Sequence, residues 1–83
     1  MSIEEKLLYA YYKYQDMKAY VHLAEVRADA GDAKEPEYLT VAEYYMEKGK
    51  LADAMQFVKK GIDNLESEEL MNYYEANRYD SHG

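Results

Sequence analysis

Few side chains in this chain are of a kind that could do chemistry, and their spacing decides what they are for. His22 and His82 are the only histidines, and there is no cysteine. The one carboxylate within helical reach of His22 is Glu25, a turn further on, which falls short of the three or four ligands a metal centre needs. We read His22 as a surface or boundary residue. Asp29, Asp32, Glu35 and Glu37 crowd one acidic stretch, but a calcium loop using Gly31 as its turn glycine would begin at Val26, whose side chain has no oxygen to offer. The hydroxyls of Ser2, Thr40, Ser67 and Ser81 belong to no motif that sets a nucleophile beside a base, and Ser2 and Ser67 read as helix caps. Gly31, Gly49, Gly61 and Gly83 are isolated, so no glycine-rich loop can cradle a phosphate. Glu68 and Glu69 are adjacent and therefore leave a helix in different directions. The expectation is a protein that is not an enzyme and that holds neither metal nor cofactor.

What remains is surface. A formal charge of -7, from 17 acids against 10 bases, opposes direct binding to a nucleic-acid backbone, where cations must replace counterions. It favours instead a protein partner with a basic or mixed surface, and speeds its approach at low salt. The acids form two zones. Asp29 to Glu47 holds six acids against Lys34, and Ile62 to Asn77 holds Asp63, Glu66, Glu68, Glu69 and Glu75 with no base. Tyrosine occurs 11 times, phenylalanine once and tryptophan never. A buried tyrosine needs a partner for its hydroxyl, so several rings should sit half exposed. They either fill boundary positions of a small core or build a recognition surface. On the second reading Tyr11, Tyr44, Tyr73 and Tyr74, interleaved with Glu66, Glu68 and Glu69, are the candidate partner contacts.

These residues must be positioned by helices. The chain of 83 residues suits one domain, 1–79, with a flexible tail over 80–83. Lacking disulfides, it must rely on dense helix packing or on self-association, and a homodimer would cover exposed aromatic faces. The start MSIEEKLL has neither the basic region nor the apolar run of a secretion signal, and no stretch is apolar enough for a membrane span. With no cysteine, a cytoplasmic setting is expected. Ser2 and Glu5 match a capping box, so a first helix starts near Ile3, with Ile3, Leu7, Tyr11 and Tyr14 inward and Leu8 and Tyr12 widening the stripe. Periodicity permits one helix from Ile3 to Ala30 or two. A break near Gln15 and Asp16 is the favoured reading, leaving Met17, Val21, Ala24 and Ala28 as a fresh stripe. Gly31 stops that helix and Pro36 opens the next, which places Tyr38, Val41, Ala42, Tyr45 and Met46 inward and ends at Gly49. Leu51, Ala54, Val58, Ile62 and Leu65 then recur at helical spacing. Ser67 caps a last helix docked by Leu70, Met71 and Tyr74.

From Tyr38 to Leu65 the chain resembles a tetratricopeptide repeat: aromatic Tyr38, small Ala42, aromatic Tyr45, turn glycine Gly49, small Ala54 and small Gly61 fall at that family's spacings. Val58 takes a position that the family usually gives to an aromatic, with Phe57 beside it. Residues 7–30 give a weaker echo, where Tyr11, Tyr12 and Ala19 match Tyr44, Tyr45 and Ala52 at a shift of 33. The resemblance implies an all-α fold of antiparallel helical hairpins with a C-terminal covering helix. It also implies a scaffold that binds a peptide or helix of another protein in the groove lined by the first helix of each hairpin.

Two functions fit. The first is a non-catalytic protein-protein interaction module, an adaptor or regulator. The second is a small acidic inhibitor, of the kind a phage encodes, whose carboxylates imitate nucleic-acid phosphates in a basic cleft.

Overall fold

No glycine or proline separates Ile3 from Ala30, yet the chain turns in the middle of that stretch. In the computed structural model, which describes residues 1–79, helix α1 spans Ile3–Lys13 and α2 spans Met17–Asp29. Helix α1 starts on the capping box: the Ser2 hydroxyl accepts from the Glu5 amide at 3.1 Å, and the Glu5 carboxylate accepts from the Ser2 amide at 3.0 Å. At the other end Gln15 adopts a left-handed φ of 63°. Its amide donates to the Tyr12 carbonyl at 3.1 Å and that of Asp16 to the Tyr11 carbonyl at 2.8 Å, so the last turn leaves fewer carbonyls open. The Asp16 carboxylate then accepts from the Ala19 amide at 3.4 Å and starts α2. The turn-tolerant pair Gln15 and Asp16 thus breaks the stretch into two helices.

Gly31 and Gly49, with φ of 78° and 73°, end α2 and α3 with the same two amide-to-carbonyl bonds. Helix α3 covers Glu35–Glu47 with Pro36 in its first turn, α4 covers Leu51–Leu65, and α5 covers Glu68–Asn77. Ser67 caps α5 by accepting from the Leu70 amide at 3.1 Å. Among the described residues every regular element is a helix, and no helix is long and apolar enough to cross a membrane. The tail expected at 80–83, with Ser81 and His82, lies outside the described residues.

The architecture is all-α. Helices α1 and α2 form one antiparallel hairpin and α3 and α4 a second; α2 lies against both α3 and α4, and α5 packs on α4. The seam of the second hairpin is made of small residues, as its spacing predicts, with Ala42 and Ala54 wholly buried. Gly61 matters most: a methyl group there would stand 2.7 Å from the Tyr38 ring and 2.8 Å from Leu70 Cδ1. Tyr38, Leu70, Val41 and Val58 are the largest side chains with no exposure to speak of. The Tyr38 ring sits 5.0 Å from that of Phe57, and its hydroxyl accepts from Asn64 Nδ2 at 3.0 Å, which satisfies the group that burial would otherwise orphan.

Helix α1 is rolled about its axis relative to the stripe drawn from the sequence. Leu8 is its buried residue, Tyr11 is half-buried, and Ile3, Leu7 and Tyr14 are exposed, Ile3 at 78%. The buried side of α1 also meets an ion cluster. Arg27, 4% exposed on α2, donates from Nε and Nη2 to the Glu37 carboxylate at 2.7 and 3.1 Å, from Nη1 to Glu4 at 2.8 Å, and from Nη2 to the Asp32 carbonyl at 3.1 Å. Glu4 stands one turn before Leu8, so its bond to Arg27 lies on the side of α1 that Leu8 buries, with Ile3 and Leu7 outward. Leu65 and Met71 are also exposed, Leu65 in the last turn of α4 and Met71 one step around α5 from Leu70, which takes the contact with Gly61. Tyr45 and Met46 reach the core but are only half-buried, the Tyr45 hydroxyl donating to Glu25 at 2.8 Å.

Candidate functional site

An ion pair links the starts of α1 and α3. The Glu5 carboxylate that caps α1 also meets Lys34 Nζ at 3.1 Å. The amide of Ser2, then the Lys34 ammonium, hold the Glu5 carboxyl down at about 2. Its folded value lies below its ordinary one, so the stabilisation is full above about pH 4.5 and is lost as pH falls toward 2. Acid unfolding followed by circular dichroism is therefore expected to show a stability gap between the native chain and Glu5→Gln that closes between pH 4.5 and 2. A gap that stays constant across that interval would remove this role for Glu5.

Beyond this link, α1 and α3 leave an apolar cleft of about 340 Å³ between them. Leu8, Tyr9 and Tyr12 form its α1 wall, Pro36 and Thr40 its α3 wall, and Tyr20 of α2 closes it from below. Tyr12 stands four residues after Leu8 and three after Tyr9, so it neighbours both on the surface of α1 and joins them into one wall. The Tyr12 and Tyr20 rings are 6.2 Å apart and tilted by 59°. Burial pushes the Tyr20 hydroxyl above its ordinary value, partly offset by Thr40 across the cleft. The charges near this end are already matched, Glu5 with Lys34 and Glu37 with Arg27.

A second depression, about 210 Å³, continues from the first, sharing Tyr12 and Thr40. Its further lining includes Met17, Tyr44, Glu43 and Glu47. Glu43 and Glu47 stand one turn apart on α3, and no ion pair engages either among the described residues. Tyr44 already holds a cation on its ring, with Lys48 Nζ 5.0 Å from the centroid.

Of the tyrosines singled out in the sequence, Tyr44 lines this groove. Tyr11 is half-buried on another side of α1, and Tyr73 and Tyr74 are half-buried on α5, packed against the core, with Arg78 over the Tyr74 ring at 5.6 Å. Glu66, Glu68 and Glu69 gather at the turn from α4 to α5, where Ser67 and Glu69 both reach Glu35. Ser67 donates to Glu35 and lowers its carboxyl, while the proximity of Glu35 raises that of Glu69. The candidate contacts therefore fall on separate parts of the surface. Tyr9, Tyr12, Tyr20 and Thr40 were not singled out in the sequence, although Tyr12 beside Leu8 in the widened stripe was a signal for the α1 wall.

The groove offers apolar area, aromatic rings and unpaired carboxylates. It contains no nucleophile set beside a base, and among the described residues no three His, Cys, Asp or Glu side chains gather closely enough to hold a metal ion. No protein-family model, curated protein or solved structure matches the chain.

Proposed function

We propose that this chain is a non-catalytic protein-interaction module, an adaptor or regulator, that holds a peptide or helix of a partner protein in the groove between α1 and α3. The observation that carries this reading is the tyrosine-walled cleft itself. Tyr9 and Tyr12, 59% and 56% exposed, stand together on a contiguous apolar lining, unlike the still more exposed Tyr14, which lies outside the groove. The resemblance to tetratricopeptide repeats supports the same location, since α1 and α3 are the first helices of the two hairpins. A cysteine-free chain suits a reducing, cytoplasmic setting.

The test is capture of a partner from the native host by the immobilised chain, repeated with Tyr9→Ala and Tyr12→Ala. Each ring supports a contact worth about 2 kcal/mol, so each variant should bind roughly 30-fold more weakly while its melting curve stays close to that of the native chain. A second reading, an acidic inhibitor occupying a basic cleft, draws support from the carboxylates of Glu66, Glu68 and Glu69 beside Glu35. Capture that ignores Tyr9 and Tyr12 but collapses with salt, and in Glu66→Gln/Glu68→Gln/Glu69→Gln, would replace the first reading with the second.

A further inference from the structure

Resting on the interaction-module reading, we infer that the groove takes a basic segment of a partner protein, one bearing a large apolar anchor residue and, about 10 Å from it, a lysine or arginine. The two ends of the groove ask for different things. At the Tyr9, Tyr12 and Tyr20 end the nearby carboxylates of Glu5 and Glu37 are already paired with Lys34 and Arg27, and the lining is mostly apolar. A charged side chain entering there would lose water and gain no counterion, whereas a leucine, methionine or phenylalanine would gain contact on three sides. At the Tyr44 end the balance reverses. Glu43 and Glu47 point their charge at the same depression with no cation on either among the described residues. The Tyr44 ring beside them is already occupied by the Lys48 ammonium, so the charge that an incoming ammonium or guanidinium group would meet here is that of Glu43 and Glu47.

The spacing follows from α3. Its cleft wall is centred near Tyr38 and its acidic pair near Tyr45, seven residues along a helix that rises 1.5 Å per residue, hence about 10 Å. A helical ligand spans that distance with its anchor and base seven residues apart, and an extended one with three. Two like-signed carboxylates also select against acidic segments, because a Glu or Asp in the same place meets repulsion.

The probes are two fluorescein-labelled peptides of about 15 residues in an alanine-rich helical frame, each with one phenylalanine anchor. One carries an arginine pair centred seven positions from the anchor, the other a glutamate pair in its place. Anisotropy at low ionic strength is expected to show the arginine peptide binding at least about tenfold tighter, with the difference shrinking as salt rises. The overall acidity of the chain would give some preference of this kind, so position is tested with charge-matched variants. Glu43→Gln/Glu47→Gln should remove most of the preference and Glu66→Gln/Glu68→Gln little of it. If both double variants reduce it equally, or if neither peptide binds, the inference is overturned. Binding that falls in Tyr12→Ala yet shows no arginine preference would overturn this inference and leave the interaction-module reading standing. Arginine preference that survives Tyr12→Ala undiminished would count against both.

Discussion

Replacing Arg27 with methionine is expected to lower the unfolding free energy by about 3 to 5 kcal/mol, because it leaves Glu37 charged and buried with its counterion gone. Glu37 is 6% exposed and receives both guanidinium bonds, at 2.7 and 3.1 Å. Glu4, whose side chain is 48% exposed, can return to water and should contribute little to the loss. A small domain has about 5 to 15 kcal/mol in total, so the variant should be partly unfolded or close to it at room temperature. Urea denaturation measures this directly. The mechanism makes a second demand, that Arg27→Met/Glu37→Gln recover much of the deficit. A glutamine at 37 still accepts from the Lys34 amide, which Glu37 now does at 3.0 Å, but no longer presents an uncompensated charge. A double variant as unstable as the single one would show that shape, and not charge, makes Arg27 necessary.

Tyr38→Ala should be comparably damaging, by about 3 to 5 kcal/mol, since the ring is wholly buried and its removal opens a cavity at the centre of the second hairpin. Tyr38→Phe should lose only about 1 kcal/mol, the share of the bond from Asn64. The position facing the ring gives an internal control. Gly61→Ala alone adds a methyl 2.7 Å from the Tyr38 ring, and overpacking of this kind typically costs about 1 to 3 kcal/mol, against a gain of up to about 1 from helix propensity. In the Tyr38→Ala background that methyl enters vacated space, so the two losses should sum to more than the double variant shows. Strict additivity would mean that the ring and Gly61 do not press on one another. The burden rests on Tyr38 more than on Tyr45, which the spacing likewise placed inward but which is half-buried and tied to Glu25 at its rim.

Features whose cause is local were readable from the chain itself. Ser2 and Glu5 announce their cap, Gly31 and Gly49 their turns, and Asp16 the break after α1, because each acts on amides within a few residues. The seam of Ala42, Ala54 and Gly61 was legible for a related reason, since only small residues recur where two helices touch. The roll of α1 was not. Leu7, Tyr11 and Tyr14 make as good an apolar stripe as Leu8 and Tyr12, and the structure takes one residue from each, Leu8 and Tyr11, because the side of α1 that meets α2 is set by packing between helices and not by the periodicity of one. The candidate groove inherits that difficulty. Its Tyr44 wall lies on a helix whose facing was readable, but Tyr9 and Tyr12 join it only through the roll of α1, which periodicity does not encode.

Glycine serves the two inner corners, at Gly31 and Gly49, whereas the outer corners force Gln15 and Glu66 into the left-handed region with a side chain attached. The helices beyond those corners, α1 and α5, each bury a single residue, Leu8 and Leu70. Leu70 is wholly buried against Gly61, whereas α1 rests on α2 alone, so on warming α1 is expected to peel away while α3, α4 and α5 still hold together. Since α1 supplies half of the groove, any ligand held there should be released at a lower temperature than that at which the bulk of the helicity is lost.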